Sequence, residues 1–173
     1  MRLGVFLPNW IGDVVMATPA LRALRQHFGP QSHIVGVMRP YVAEGTDWLS
    51  DTVLYAKSPR GDVLSWRQVI GRLRAERLDA ILLLTNSWRT AWMAWWSGAP
   101  RRVGIRRDAR GWLLTDRIAQ PTDPDTGLPL ATIPMYIYLA SALGCPPEPP
   151  RLELATTAAD EALADAVWQR LGL

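Results

Sequence analysis

The stretch FLPNWIGDVVMATPALRALR, residues 6–25, runs from an apolar segment through a proline and a glycine into a helical pattern. Residues 2–7 form a short apolar run typical of a buried parallel strand, and a helix is predicted over 13–28. Pro19 is expected to kink or restart that helix. The loop between them, PNWIGD at 8–13, follows a strand and precedes a helix, and such loops bind ligands in parallel α/β sheets.

Strand and helix patterns alternate along the rest of the chain. Strands are predicted at 33–38, 51–56, 79–84, 101–105 and 151–154, with a partly extended segment at 111–120. Helices are predicted at 41–49, from an N-cap at Asp62, from Trp88, at 132–143, and after Thr157 and Asp160, which have capping-box spacing. Residues 121–130 and the CPPEPP run are predicted loop and connector. This alternation predicts an α/β fold with a mostly parallel sheet covered by helices on both faces.

Composition limits the class of protein. A chain of 173 residues that is 49% hydrophobic can bury the core of one compact domain. No apolar run approaches the roughly 20 residues of a membrane span, and no secretory signal pattern begins the chain, so we expect a cytoplasmic protein. Cys145 is the single cysteine and His27 and His33 are the two histidines, so neither a disulfide, a metal site nor a cofactor is expected.

The positive charge is carried almost entirely by arginine. Net charge is +3, and Lys57 is the one lysine among 19 basic residues. Six arginines lie between Arg101 and Arg117. Guanidinium groups suit phosphates and carboxylates, but the same cluster also fits an ordinary solvated surface, and the sequence leaves both interpretations open.

Four tryptophans share one helical face. Trp88, Trp92, Trp95 and Trp96 stand at spacings of i, i+4, i+7 and i+8. Such a stripe could stack on sugars or bases, but helical spacing favours a core role, in which the indoles pack the helix on the sheet. Only Trp88, at the start of the helix, is then a candidate ligand contact.

Two strand-to-helix loops are expected to meet at one edge of the sheet. Asn9, Trp10, Gly12 and Asp13 follow the first strand, and TNSW brings Asn86, Ser87 and Trp88 after a later one. Gly12 is expected to allow a tight turn. Asp13 fits either a helix cap or a general base, and its spacing favours the cap. The chain lacks both glycine-rich phosphate-loop patterns.

PNWIGDVVMATPALRALR, taken with TNSWRTAWMAWWSGAPRRVGIRRDARGWLLTD, resembles the N-terminal half of the ADP-heptose:lipopolysaccharide heptosyltransferases, glycosyltransferase family nine, and is most similar to the heptosyltransferase II branch. The resemblance implies a GT-B glycosyltransferase whose N-terminal Rossmann-like domain holds the acceptor. It also implies an inverting, metal-independent transfer of heptose from ADP-heptose to the lipopolysaccharide inner core. Asp13 matches the aspartate proposed as the family's general base, which reverses the preference for a cap.

The resemblance assigns partners to the arginines and divides the chain. The carboxylates and phosphates of the lipopolysaccharide core are partners for Arg60, Arg101, Arg102, Arg106 and Arg107. Residues 1–155 are expected to form the acceptor-binding domain, and 156–173 a helix leading to a C-terminal donor-binding domain absent from this sequence. ADP-heptose is expected to bind that missing half, so the chain alone is expected to be inactive, as a fragment or the product of a split gene.

Peripheral association with the inner face of the inner membrane fits the expected acceptor, and no nucleic acid is expected as a partner. Two alternatives remain. One is a related GT-B transferase with another acceptor. The other is a non-catalytic module that binds single-stranded RNA through arginines and exposed aromatic side chains. The second alternative requires Trp92, Trp95 and Trp96 to be exposed, whereas the core interpretation buries them.

Overall fold

A six-stranded, entirely parallel sheet forms the centre of the protein, with strand order β3-β2-β1-β4-β5-β6. The computed structural model describes residues 1–42, 49–56, 61, 63–153 and 158–172. The strands are β1 (Arg2–Phe6), β2 (His33–Met38), β3 (Asp51–Leu54), β4 (Ala80–Leu83), β5 (Arg101–Ile105) and β6 (Asp116–Ile118). The helices are α1 (Ile11–Phe28), α2 (Trp66–Ala75), α3 (Trp88–Trp96), α4 (Thr132–Ser141) and α5 (Ala158–Leu171). The predicted Rossmann-like α/β architecture is confirmed.

Helices cover both faces of the sheet. Successive side chains of a strand point to opposite faces, so Leu82 packs in one hydrophobic cluster and Ile81 and Leu83 pack in another. The first cluster lies under α1 and α4, and the second lies under α2 and α3. Because both faces are buried, the central strands are apolar without alternation.

Several local predictions differ from the structure. Helix α1 begins at Ile11 and continues through Pro19 without a restart. Residues 151–153 form no strand, so the last predicted strand is wrong there. Helix α2 begins after Ser65, whose side chain and Gln68 form a capping box. The predicted caps Asp62 and Thr157 lie outside the described residues, as does most of the predicted 41–49 helix. The described residues at the start of that helix belong to a 3₁₀ turn at Pro40–Val42.

The tryptophan stripe of α3 lies mostly outside the core. The buried face of this helix is made by Thr90, Ala91, Met93 and Ala94. Two alanines three residues apart let the helix approach the sheet closely, and the larger indoles are displaced to the outer side. Trp88, Trp95 and Trp96 are therefore 43%, 38% and 42% exposed. The prediction of a core role is wrong for Trp95 and Trp96, whereas Trp92 is partly buried and packs against the cluster under α2 and α3.

A buried arginine fastens the segment after α4 to helix α1. Arg22 is 7% exposed and donates hydrogen bonds to the carboxylates of Glu148 and Glu153 and to the carbonyl oxygens of Pro149 and Arg151. Burial by itself would lower the Arg22 pKa, but its hydrogen bonds and charge interactions with the two glutamates raise it above the ordinary arginine value. Arg22 therefore stays charged inside a nearly closed site.

Replacing Arg22 by Met should destabilise the fold by about 3 kcal/mol, because two carboxylates and two carbonyls lose their shared donor. Urea unfolding followed by circular dichroism measures the change. Arg151→Gln is the matched control: Arg151 binds the same Glu153 from a side chain that is 74% exposed, and its loss should cost no more than about 0.5 kcal/mol. Equal losses for the two variants would contradict the role of Arg22.

Candidate functional site

The parallel pairing of β1 with β4 brings two loops together at the carboxyl edge of the sheet. Phe6 is in register with Leu83, so the segments after these strands begin side by side. Helix α1 then packs on one face and α3 on the other. The strand order reverses at this point, and the crevice that opens there is the usual ligand site of such sheets. Asn9 and Trp10 thus follow β1, and Asn86 and Ser87 follow β4, at the same edge of the sheet.

Asp13 is the third residue of helix α1 and does not cap it. Trp10 occupies the N-cap position, with no side-chain capping bond. The Asp13 side chain is partly exposed, and no described residue forms a hydrogen bond with its carboxylate. It lies near Tyr136 of α4: burial raises the pKa of that tyrosine, and the Asp13 charge raises it further. The cap interpretation is therefore wrong, and the carboxylate stays available at the positive end of the helix.

Gly12 has a different role from the one predicted. It is the second residue of α1 and has no positive φ, so it does not form a tight turn. A Cβ built on Gly12 would meet no atom within 4 Å. No described atom would therefore clash with a larger side chain's Cβ at this position. Gly12 leaves the backbone at the start of α1 open to close approach from outside, beside Trp10, which is 74% exposed.

The loop after β4 is organised by a buried arginine that the sequence analysis did not single out. Arg110 is 0% exposed and donates hydrogen bonds to the carbonyls of Thr85, Ser87 and Ile105 and to Oδ1 of Asn86. Its Nε has no partner among the described residues. Burial lowers the Arg110 pKa. The acceptors of Arg110 among the described residues are carbonyl and amide oxygens, and the charge of Asp108 partly offsets the effect of burial on the Arg110 pKa.

The remaining residues of this loop have defined contacts. Ser87 caps α3 by accepting a hydrogen bond from the Thr90 amide at 3.1 Å. Trp88 donates from Nε1 to the Asp108 carbonyl at 2.8 Å, which holds its indole at the rim. Because Arg110 occupies Oδ1 of Asn86, the amide nitrogen of Asn86 is its remaining polar group for a ligand. Trp88 therefore lies at the rim, and its contact with a ligand stays a prediction.

Two clefts adjoin at Ala56 along this edge. One, of about 530 Å³, is lined by Asn9, Trp10, Arg39, Pro40, Tyr41 and Ala56. The other, of about 550 Å³, is lined by Tyr55, Ala56, Ser65, Trp66, Trp88, Arg89 and Trp92. Arg39 was missed by the sequence analysis, because nothing in its neighbourhood marks it. Its guanidinium lies 4.5 Å from the Tyr55 ring centre and donates weakly to Asn9 Oδ1 at 3.4 Å.

The predicted arginine cluster is divided by the fold. Arg106 and Arg107 follow β5 at the carboxyl edge and are exposed. Arg101 and Arg102 lie at the amino end of β5, where Arg101 binds Asp116 and the Ala142 carbonyl, and Arg102 binds the carbonyls of Leu113 and Ala99. The structure therefore places these two at the edge opposite the crevice. Arg60 lies outside the described residues.

We expect Arg110→Lys to lower the free energy of unfolding by about 2 kcal/mol or more, since a single ammonium group cannot reach all four acceptors and leaves buried carbonyls unpaired. Thermal and urea unfolding measure the loss. Arg107→Lys, three residues earlier and 61% exposed in its side chain, is the control and should change stability little. A fully stable Arg110→Lys protein would show that the loop after β4 does not depend on this network.

Within the described residues, no group of three or more His, Cys, Asp or Glu side chains has the arrangement of a metal site. No helix in that part of the chain is both long and apolar enough to cross a bilayer.

Comparison with known proteins identifies the family. The model for glycosyltransferase family 9 (heptosyltransferase) matches residues 66–166. The chain is 29% identical over 122 residues to lipopolysaccharide heptosyltransferase 2 of Escherichia coli K12, covering 67% of this chain and 34% of that protein. It is 27% identical over 177 residues to lipooligosaccharide heptosyltransferase 2 of Haemophilus ducreyi, covering 93% and 47%.

Solved structures share the fold. A family 9 glycosyltransferase from Veillonella parvula superposes with a TM-score of 0.80 at 23% identity, covering 99% of this chain and 49% of that one. The Escherichia coli ADP-heptose heptosyltransferase II gives 0.69 at 23% identity, covering 100% and 51%. The chain thus spans about half the length of these structures, and less than half of the curated relatives. Because the family match covers more than half of its residues, the chain belongs to glycosyltransferase family 9 (heptosyltransferase).

Proposed function

We propose that this chain is the acceptor-binding half of an inverting glycosyltransferase that moves heptose from ADP-heptose to the inner core of lipopolysaccharide, with Asp13 as general base. The observation that carries the proposal is the position of Asp13, at the start of α1 beside the β1–β4 crevice, with a carboxylate that does not cap the helix. The relatives are lipopolysaccharide and lipooligosaccharide heptosyltransferases, which supports this class of reaction.

The chemistry requires one proton transfer to the protein. The Asp13 carboxylate accepts the proton of the attacking acceptor hydroxyl as that oxygen forms a bond to the anomeric carbon of the donor sugar. The bond between the anomeric carbon and ADP breaks on the opposite face, and ADP leaves with the electron pair. Asp13 lies in the first turn of α1 and its side chain is partly exposed, so the carboxylate is accessible to an acceptor hydroxyl.

The acceptor contacts are proposed from the same edge of the sheet. Polar groups suited to sugar hydroxyls and cations suited to core carboxylates or phosphates come from Asn9, Trp10, Arg39, Asn86, Ser87, Trp88, Arg106 and Arg107. Arg60 stays a sequence-based prediction. Arg101 and Arg102 are left out because their side chains are engaged at the opposite edge.

The donor side of the reaction belongs to the proposal as well. We assign residues 1–155 to acceptor binding and 156–173 to a helix leading toward a donor-binding half, which would hold ADP-heptose and without which transfer would not occur. A cytoplasmic location at the inner face of the inner membrane fits such an acceptor. A related transferase with another acceptor is the main alternative, because acceptor choice depends on loop side chains that sheet topology does not fix.

The test of Asp13 uses an enzyme that contains this chain together with a donor-binding half. Asp13→Asn keeps the side-chain shape but removes proton acceptance, so kcat should fall by about 10² to 10⁴ while the acceptor KM and the melting temperature change little. Steady-state transfer of heptose from ADP-heptose measures the change. Asp125→Asn, in an exposed loop, is the control and should turn over normally. A fully active Asp13→Asn enzyme would exclude Asp13 as the base.

Gly12→Ala separates acceptor approach from folding. Alanine should stabilise α1 by up to about 1 kcal/mol, because no described atom obstructs its Cβ. If the acceptor closely approaches this helix end, the added methyl should raise the acceptor KM about tenfold. Gly71→Ala in α2, whose Cβ also meets nothing within 4 Å, is the matched control and should be stabilising without a change in KM. An unchanged KM for Gly12→Ala would place the acceptor elsewhere.

A further inference from the structure

Six tryptophans form one continuous patch on the outer side of α2, α3 and the 3₁₀ turn at Arg110–Leu113. This tryptophan surface consists of Trp66, Trp88, Trp92, Trp95, Trp96 and Trp112. Five of its members are 38% to 53% exposed, and Trp92 is half-buried at the centre. Exposing so much indole to water is unfavourable, because each tryptophan carries a large apolar area. A patch of this kind marks an interaction site.

The rings of the tryptophan surface pack on one another. Trp92 lies 5.6 Å from Trp95, 6.3 Å from Trp96 and 5.8 Å from Trp112, measured between ring centres. Trp95 and Trp96 meet at 5.1 Å with their planes 82° apart. The Trp92–Trp112 and Trp95–Trp96 contacts are edge-to-face and the Trp92 contacts with Trp95 and Trp96 are tilted, so the patch is an uneven layer of indoles rather than a row of parallel, open ring faces.

Positive charge predominates around the tryptophan surface, although the exposed Asp108 lies beside Trp88. Helices α2 and α3 contain four arginines and no acidic residue. The Arg67 guanidinium lies 5.2 Å from the Trp66 ring centre, and the Arg74 guanidinium lies 5.8 Å from that of Trp96. Arg74 also donates to the Trp96 carbonyl at 2.8 Å. Arg67, Arg74 and Arg89 are exposed around the indoles, so the surface combines apolar area with positive charge.

We propose that the tryptophan surface docks the protein onto an anionic lipid bilayer, with the indoles at the headgroup level and Arg67, Arg74 and Arg89 on lipid phosphates. Indoles favour the interface between water and hydrocarbon because one end of the ring system is apolar and its N–H is polar. Cationic side chains add attraction to anionic headgroups. The complementary charge and the fixed indole layer favour a bilayer as the occupant.

Single-stranded nucleic acid fits the surface less well. Base stacking needs ring faces that are open and accessible in succession. Here the Trp66 and Trp96 faces are approached by arginines, and the central rings are covered by neighbouring indole edges. The surface reaches the carboxyl edge of the sheet at Trp88, beside the crevice, so a docked bilayer would lie next to the site. Docking does not depend on the proposed transfer reaction, since the surface is defined without it.

Vesicle binding tests the proposal directly. The 173-residue chain is mixed with vesicles of equal parts phosphatidylethanolamine and phosphatidylglycerol, or of phosphatidylcholine alone, and co-sedimentation and tryptophan emission are measured. We expect binding to the anionic vesicles with a blue shift of the emission, and binding at least about tenfold weaker to the neutral vesicles or at high salt. Failure to bind anionic vesicles would overturn the proposal.

Variants locate the binding surface. Trp95→Ala with Trp96→Ala, and separately Arg67→Gln with Arg74→Gln, should each weaken anionic-vesicle binding about tenfold or more while the circular dichroism melting curve is kept. Trp168→Ala on α5 and Arg151→Gln, both exposed, are the matched controls and should bind as the wild type does. Undiminished binding by the double variants would overturn the assignment.

Two other occupants have distinct signatures. Binding of polyuridylate that is tighter than vesicle binding and lost in the Trp95→Ala, Trp96→Ala variant would replace the bilayer with a single-stranded RNA. A concentration-dependent dimer that the same variant abolishes, without vesicle binding by the wild type, would replace it with a second copy of the chain. Either result would overturn bilayer docking.

Discussion

The parallel contact between β1 and β4 is the constraint on which the candidate site depends. These strands are neighbours in the sheet although Phe6 and its register partner Leu83 are 77 positions apart in the sequence. Their helices leave on opposite faces, so the crevice between them cannot be filled by either crossover. Asp13 and the proposed acceptor contacts all lie along the edge of the sheet at which that crevice opens.

Two buried arginines stabilise the regions on either side of the crevice by different means. Arg22 is neutralised by two glutamates and fastens the segment after α4. Arg110 donates to carbonyl and amide oxygens, has the charge of Asp108 nearby, and fastens the loop after β4. Burying a guanidinium that hydrogen-bonds to no carboxylate among the described residues is costly, and its place beneath the loop of Thr85, Asn86 and Ser87 fits a role in attracting an anionic ligand under the proposed function.

The sheet could be predicted from the sequence because strands buried on both faces are apolar without interruption and are separated by helical periods. The position of each arginine could not be predicted, because Arg101 and Arg106 differ by the length of one strand and end at opposite edges. The same limit applies to Asp13: a shift of the helix start by two residues turns a capping position into a third position. The core role predicted for the tryptophan stripe was wrong for Trp95 and Trp96 because large apolar side chains are usually the buried ones. Here the small side chains of Ala91 and Ala94 pack against the sheet instead.

Helix α1 connects the proposed base to the segment that follows α4. Asp13 and Arg22 stand nine residues apart on one continuous helix, a rise of about 13 Å. Arg22 holds Glu148 and Glu153 against that helix, and Thr18 accepts a hydrogen bond from the Glu153 amide at 3.0 Å. Under the proposed function, the donor-binding half follows this segment, so the place where it joins is set by the helix that carries the base. Loss of the Arg22 contacts would then disturb the approach of the donor to Asp13 without changing any residue in the crevice.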